Sequence, residues 1–358
     1  LSASATVGLD VGGAHLKVAR LDAAGALVAA RTVASPLWRG LDHLSQALDE
    51  AADDIPPASE IAVTMTGELV DLWPDRASGV AAIVAALADR YGAARLAFYA
   101  GAVGFVDRDA ASGRVARIAS ANWRATAEAM ALEHESGLLV DVGSTTADII
   151  PVANRRVAAR GATDAERMAA DELIYLGVAR TPVMAMATRL PFAGAWVQPM
   201  AEHFATSADV FRLTGDLVES ADLHPSADGG PKTREASARR LLRMVGADLD
   251  ANTAAAAELL ARHLGEASLR RLCDAATAVL SRAPAVPVQA VVGAGVGRFL
   301  ARRLAERLGL LYRDVAAGWT DDAGLAQAAA DSAPAVAVAK LCAMRRRPIE
   351  TDVGRSPL

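Results

Sequence analysis

Two short stretches carry the side chains best suited to chemistry: DVGGAHLK at residues 10–17 and DVGSTTAD at residues 141–148. In each, a carboxylate ends an apolar run and a glycine turn follows at once. Backbone N–H groups then lie open to whatever enters the turn, and the missing Cβ permits close approach. Such a nest suits phosphate oxygens. In the first stretch Gly12 and Gly13 make the turn, His15 stands inside it, and Lys17 follows on the returning strand, so that an ammonium and the Asp10 carboxylate converge on one ligand. In the second, Gly143 is followed by Ser144, Thr145 and Thr146, whose hydroxyls add donors for anionic oxygen, and Asp148 is a further carboxylate. Two such turns face to face would clamp a polyphosphate. Asp10 and Asp141 are then the expected holders of Mg²⁺, a hard cation that bridges carboxylates to substrate phosphates.

Other motifs are less specific. VVGAGVGRFLARRLAE at 291–306 is a third glycine-rich strand-to-helix turn, in which Gly293 and Gly295 are candidates for contacting a phosphate, a nucleoside or another flat group by backbone. Arg298 occupies the place of the last glycine of a dinucleotide fingerprint, and no G-x-x-x-x-G-K-[ST] run occurs. TMTGEL at 64–69 ends a strand with Glu68 at the edge where ligands of open α/β sheets collect, although a surface glutamate reads the same way. SANWRATA at 120–127 reads as a helix start capped by Ser120 or Asn122, with Trp123 either in the core or lining a pocket for a ring. Lys17, His15, Glu68 and Asp148 are the catalytic candidates. The remaining histidines show no metal-ligand spacing, and no nucleophile elbow is present.

The elements that must position these groups repeat. Residues 6–33 read as a three-stranded meander, followed by helix 38–53, strand 60–66, helix 78–91, strand 94–99 and helix 122–134. A second meander, GLLVDVG, ADIIPVA and RRVAARG, sets Asp141 on Asp10, Gly143 on Gly12 and, after two dropped residues, one VAAR on the other. AVPVQAVVG at 285–293, a helix near 296–308, LGLLYRDV and an Ala-rich helix around 322–343 complete the second half. Between them a mainly helical insertion runs from 164 to about 282, interrupted by a Gly-, Pro- and Asp-rich loop at 214–233. The expectation is an α/β protein of two units, 1–136 and 137–358.

Composition narrows the partners. With 358 residues, 53% of them hydrophobic, a large core can be buried. A net charge of -5 with Arg345, Arg346 and Arg347 as the only basic cluster excludes nucleic acid as a natural partner. No apolar run reaches the roughly 18 residues of a membrane span. Two cysteines, Cys273 and Cys342, in apolar surroundings fit a reduced cytoplasmic protein, and no secretory leader is expected ahead of the first strand.

The duplicated turns together with VVGAGVG resemble the phosphate and adenosine segments of the acetate and sugar kinase, Hsc70 and actin superfamily, which implies duplicated ribonuclease H-like domains. More narrowly, GLDVGGAHLKVA, TMTGELVDLW, SANWRATA, VDVGSTTADIIPV, GATDAERMAADELIYLGVARTPV and DVFRLTGDL with SADGGPKT resemble the hydantoinase/oxoprolinase-related proteins linked to tetrahydromethanopterin-dependent one-carbon transfer. The likeness runs from residue 8 to about 233, with a looser match beyond. It implies a transferase of methanofuran or methylofuran biosynthesis acting on small molecules. The phenol oxygen of a γ-glutamyl-tyramine or tyrosine-type acceptor attacks an aminomethyl-furanylmethyl diphosphate, forming an aryl ether and releasing diphosphate. The implied roles are diphosphate binding for Gly12, Gly13, Lys17, Gly143, Ser144, Thr145 and Thr146, and ring-bearing substrates for Asn122 and Trp123. An ATP-dependent small-molecule kinase or lactam hydrolase on the same fold, or a non-enzymatic actin-like or nucleotide-sensing protein, are the alternatives.

Overall fold

The structure, a computed structural model, describes residues 4–282 and 287–345. Its first sheet grows from the opening meander, β1 (Thr6–Val11), β2 (His15–Leu21) and β3 (Leu27–Ala34), paired antiparallel with Asp10 opposite Lys17. Every residue of β1 is buried, as befits a central strand covered on both faces. After α1 (Asp42–Glu50), β4 (Glu60–Met65) lies parallel to β1. After α2 (Arg76–Tyr91) come β5 (Leu96–Tyr99) and the edge strand β6 (Phe105–Val106), for an order β3-β2-β1-β4-β5-β6. The short α3 (Arg108–Ala111) and α4 (Val115–Ile118) lead into α5 (Asn122–Glu133).

The second sheet begins as a copy. β7 (Gly137–Val142) pairs with β8 (Ala147–Ala153), and Asp141 faces Asp148 where Asp10 faces Lys17. The same bond closes both turns, from Gly12 N to His15 O at 2.9 Å and from Gly143 N to Thr146 O at 2.8 Å. The third strand departs from expectation. RRVAARG yields only β9 (Arg156–Val157), because the N–H groups of Arg160 and Gly161 turn onto the buried Glu172 carboxylate, at 2.8 and 2.9 Å, instead of extending the ladder.

The insertion contains α6 (Asp164–Ala169), β10 (Leu173–Ile174), α7 (Val183–Met186), α8 (Ser207–Thr214), α9 (Arg234–Arg243) and α10 (Ala254–Leu280). It also contains a hairpin absent from the sequence reading, β11 (Leu190–Phe192) with β12 (Ala195–Val197). Phe211, Leu241, Leu260 and Leu264 weld its helices into the core that backs β7. β13 (Ala290–Ala294) then joins β7 in parallel, followed by α11 (Arg298–Leu308) and β14 (Leu311–Asp314). The Ala-rich segment expected as one helix is two, α12 (Ala323–Asp331) and α13 (Ala333–Met344), broken at Ser332 where the backbone leaves helical dihedrals ahead of Pro334.

α13 returns to the first sheet. It packs so closely on β1 that a Cβ on Gly8 would stand 1.9 Å from the Ala335 carbonyl oxygen. With α5 it fills the space between the sheets, in one core that includes Trp123, Met130, Leu139, Ile150, Val292 and Val336. Cys273 and Cys342 are buried, in α10 and α13. Arg345 pairs with Glu60, while Arg346, Arg347 and residues 285 and 286 of AVPVQAVVG lie outside the described residues. Among the described residues no helix is long and apolar enough to cross a membrane.

Candidate active site

The two hairpin turns open on one cleft of about 520 Å³. Asp10, Gly12, Gly13, His15 and Lys17 line it from β1 and β2, and Gly143, Ser144, Thr145, Thr146 and Asp148 from the second hairpin. Because the turns are closed by the Gly12 and Gly143 N–H groups, those two donors are spent. Among the described residues, the open N–H groups of the turns include those of Gly13, Ala14, Ser144, Thr145 and Thr146. Gly12 and Gly143 thus shape the turns, and of the expected anion donors it is these two whose N–H groups are already engaged.

Lys17 is the centre of charge. Its Nζ lies 3.5 Å from Asp10 Oδ2. Burial works against the ammonium, yet the fields of Asp10, Asp141 and Asp148 outweigh it and raise its pKa. Asp10 is 2% exposed, and its Oδ1 has no protein partner; burial raises its pKa against the pull of Lys17 and Asn122. Burial pushes Asp141 up to about 7, with Lys17 opposing. Asp10 fits Mg²⁺, with an orphaned carboxylate oxygen on a cleft that has space for phosphate and water, whereas Asp141 does not line the cleft and packs on Gly295, so it would reach the cation through water. Among the described residues no group of three His, Cys, Asp or Glu encloses a metal unaided, so the remaining ligands would come from substrate and solvent.

Several expected site residues stand elsewhere. Trp123 does not line the cleft; it is 2% exposed, with the Arg167 guanidinium 4.2 Å from its ring centre. Arg167 also takes the Asp148 carboxylate in a buried ion pair. Gly293 is covered by Tyr312, whose ring would meet a Cβ at 2.6 Å. Gly295, at φ +78°, packs on Asp141, whose Oδ1 would lie 2.4 Å from a Cβ. Of that third turn, Val296 faces the cleft. Neither Ser120 nor Asn122 caps α5. The cap position is Ala121, without a side-chain bond, while Asn122 lines the cleft and its Oδ1 accepts from Trp123 N at 2.8 Å.

Ser120 instead takes a left-handed backbone, φ +50°, that no cap requires. Its hydroxyl lines the cleft, donates to Glu68 Oε1 at 2.9 Å and lies 3.2 Å from Asp164 Oδ2. Glu68 is therefore no surface residue. It is 1% exposed, its Oε2 has no partner, and burial raises its pKa to about 7. Asp164, from α6, is in turn paired with Arg76 of α2, so the network ties the insertion to the first sheet. His15 has a buried, unpartnered Nε2. Burial, then His224, Lys17 and Arg180, hold its pKa well below the ordinary value.

Residues 175–181 supply what motif reading missed. Val178 N donates to Gly143 O at 3.0 Å, and the N–H groups of Ala179 and Arg180 donate to Ser144 O at 3.1 and 2.8 Å. Gly177 lies so tightly on the turn that a Cβ would come within 2.4 Å of Ser144 C and Thr145 N. The segment buttresses the second turn and brings Tyr175 and Arg180 to the cleft. The glycine inside YLGVART was the available signal, but nothing in one sequence says which turn it meets.

Residues 60–344 match the family pattern described as hydantoinase/oxoprolinase. The chain is 30% identical over 243 residues, 68% of its own length and 72% of the relative's, to the (4-{4-[2-(gamma-L-glutamylamino)ethyl]phenoxymethyl}furan-2-yl)methanamine synthase of Methanocaldococcus jannaschii. It is 33% identical over 113 residues, 32% of this chain and 50% of the relative, to the protein of the same name from Methanococcus vannielii. Among solved structures, nucleotide-free acetone carboxylase aligns over 85% of this chain and 67% of that one, at 11% identity and a TM-score of 0.51, a likeness of fold alone. The two hairpin-led sheets have the duplicated fold expected from the sequence, of the type shared by acetate and sugar kinases, Hsc70 and actin. Within that fold, the match over residues 60–344 and the identity to the archaeal synthase lead to one conclusion: the chain belongs to the hydantoinase/oxoprolinase family.

Proposed function

We propose that the chain is a transferase of methanofuran-type cofactor biosynthesis. It joins a furanylmethyl group, carried as its diphosphate, to the phenol oxygen of a γ-glutamyl-tyramine or tyrosine-type acceptor. The observation that carries this reading is a single ammonium, Lys17, on the one cleft that both glycine turns line with open N–H groups. The relative's name adds the chemistry, since it describes a phenoxymethyl-furan bearing a γ-glutamyl arm.

In the reaction the bond from the furan CH₂ to the diphosphate oxygen breaks and its electron pair leaves with diphosphate. The phenol oxygen forms the new C–O bond, and the phenol proton passes to a base. Lys17, the open N–H groups of Gly13, Ala14, Ser144 and Thr145, and the hydroxyls of Ser144, Thr145 and Thr146 meet the charge that grows on the leaving group. Mg²⁺ held by Asp10 and Asp141 would supply further neutralisation of that charge. Glu68 receives the proton through Ser120, its pKa of about 7 being matched to a base at neutral pH. His15 suits this role less, because its surroundings penalise imidazolium.

The test is incubation with Mg²⁺, the furanylmethyl diphosphate and glutamylated tyramine or tyrosine, with mass detection of the ether and assay of diphosphate. Ether and diphosphate in equal amounts are expected. Their absence with every phenol, together with substrate-stimulated ADP formation from ATP, would replace the transferase by a kinase or lactam-opening enzyme.

A further inference from the structure

A second cavity of about 290 Å³ adjoins the cleft, lined by Trp38, Arg39, His203, Asp222 and His224, and Arg180 lines both spaces. Arg180 differs from the other arginines of the interior. Arg167, Arg212, Arg240, Arg282 and Arg298 are each tied to a carboxylate. Among the described residues Arg180 forms no ion pair, and its Nη1 has only Thr145 Oγ1 at 3.5 Å. Burial lowers its pKa, with no carboxylate to offset the cost. The acids of the cavity wall are already engaged, Asp209 by Arg240 at 2.7 Å and Asp222 by Arg212 at 2.6 Å and Lys232 at 3.4 Å. The wall thus has positive charge to spare.

It also has flat faces. The Arg180 guanidinium lies 4.6 Å from the centre of the Trp38 ring. Beyond Trp38 come His224 at 5.3 Å and then His15, 4.8 Å further along, and both imidazoles keep a buried Nε2 without a partner. A cation over an indole face, followed by imidazoles tilted by 53° and 49° to their neighbours as far as the first hairpin turn, suits a ligand with an aromatic ring at one end and a carboxylate at the other. Diphosphate has the charge but no face to lay on that row.

We propose that this junction is the acceptor subsite, in which Arg180 takes the α-carboxylate of the glutamyl arm and the phenol ring lies along Trp38, His224 and His15. The inference rests on the transferase reading above. It gives the acceptor's glutamyl group a reason: the carboxylate anchors the phenol, and a plain phenol lacks that anchor.

Calorimetric titration of the full chain with γ-glutamyl-tyramine, its α-carboxyl methyl ester and inorganic diphosphate tests it. The acid is expected to bind wild type about tenfold or more tightly than the ester. In Arg180→Gln the acid should fall to the ester's affinity while diphosphate binding stays within about twofold, which also reports an intact fold. Arg180→Lys should keep part of the preference, because a lysine preserves charge but loses the bidentate fork. Equal binding of acid and ester by wild type, or a preference that survives Arg180→Gln, overturns the subsite. Loss of diphosphate binding in Arg180→Gln overturns it too and moves Arg180 to the leaving-group clamp. The two readings fail separately. A carboxylate preference carried by Arg180 with no ether formed from any phenol keeps the subsite and defeats the transferase, whereas ether formed equally fast from acid and ester does the reverse.

Discussion

At the scale of single residues, the proposed chemistry turns on Lys17 and Glu68. Lys17 opposes the burial that raises the pKa of Asp10 and Asp141, as Arg167 chiefly does for Asp148. Lys17→Ala is expected to cut diphosphate release by about 10²-fold or more, as loss of a charge-stabilising donor does elsewhere. An undiminished rate in a stopped assay would remove the clamp from the mechanism. Glu68 makes the pH dependence specific. Its pKa, raised from 4.5 to about 7, leaves it protonated in mild acid, so turnover should climb between about pH 6 and 8 as the carboxylate forms. Glu68→Gln should flatten that climb.

The same shift has a stability sign. Between the two pKa values the folded protein holds a proton that the unfolded chain has lost. The stabilisation is therefore complete below 4.5 and fades as pH rises through about 7, by about 3 kcal/mol in all. Denaturant melts at pH 5 and pH 8 should show wild type weaker at the higher pH. Glu68→Gln should narrow the gap rather than abolish it, since buried Asp141 shifts in the same direction.

Elements matter here through how closely their backbones approach. The 175–181 segment is held on the second turn by main-chain bonds, and Gly177 permits the contact. Gly177→Ala puts a methyl group into the Ser144–Thr145 backbone, which has no flexible end to move aside. Overpacking of this kind costs about 1–3 kcal/mol. A larger relative loss is expected in diphosphate affinity than in melting temperature, because the turn that yields is the one lining the cleft. Titration and thermal melting of the same sample check this, and an unchanged affinity would mean that the buttress does not set the turn.

For the molecule as a whole, two of the contacts that join the halves make predictions. α13 lies on β1 across Gly8, so Gly8→Ala must push a helix backbone off the central strand; a stability loss of at least about 1–3 kcal/mol is expected by denaturant unfolding. On the other side, the 214–233 loop carries His224 onto His15 and sets Ala221 and Leu223 on the cleft wall. A loop that belongs to one sheet and packs on the other is suited to closing over bound substrate. Limited proteolysis between residues 225 and 230 should slow when diphosphate and acceptor are added. Cleavage at an unchanged rate would argue for a fixed loop.

The sequence by itself determined the local repeats. Asp-Val-Gly after an apolar run can do little but end a strand in a tight turn, and its two occurrences lay down the same hairpin with the same closing bond. The main strands and helices of the first half were legible for the same reason, since periodicity and turn residues are local. What only the tertiary structure decided was the other side of each contact. Trp123 and Asn122 are neighbours in sequence, yet one goes under Arg167 and the other to the cleft. Gly293 and Gly295 read as a ligand turn but are small because Tyr312 and Asp141 press on them. Arg180 and Arg167 look alike in sequence, and burial beside a carboxylate made one structural while burial without one left the other a charge to offer. Desolvation and pairing are properties of surroundings assembled from distant segments, so they become visible only once the chain has folded.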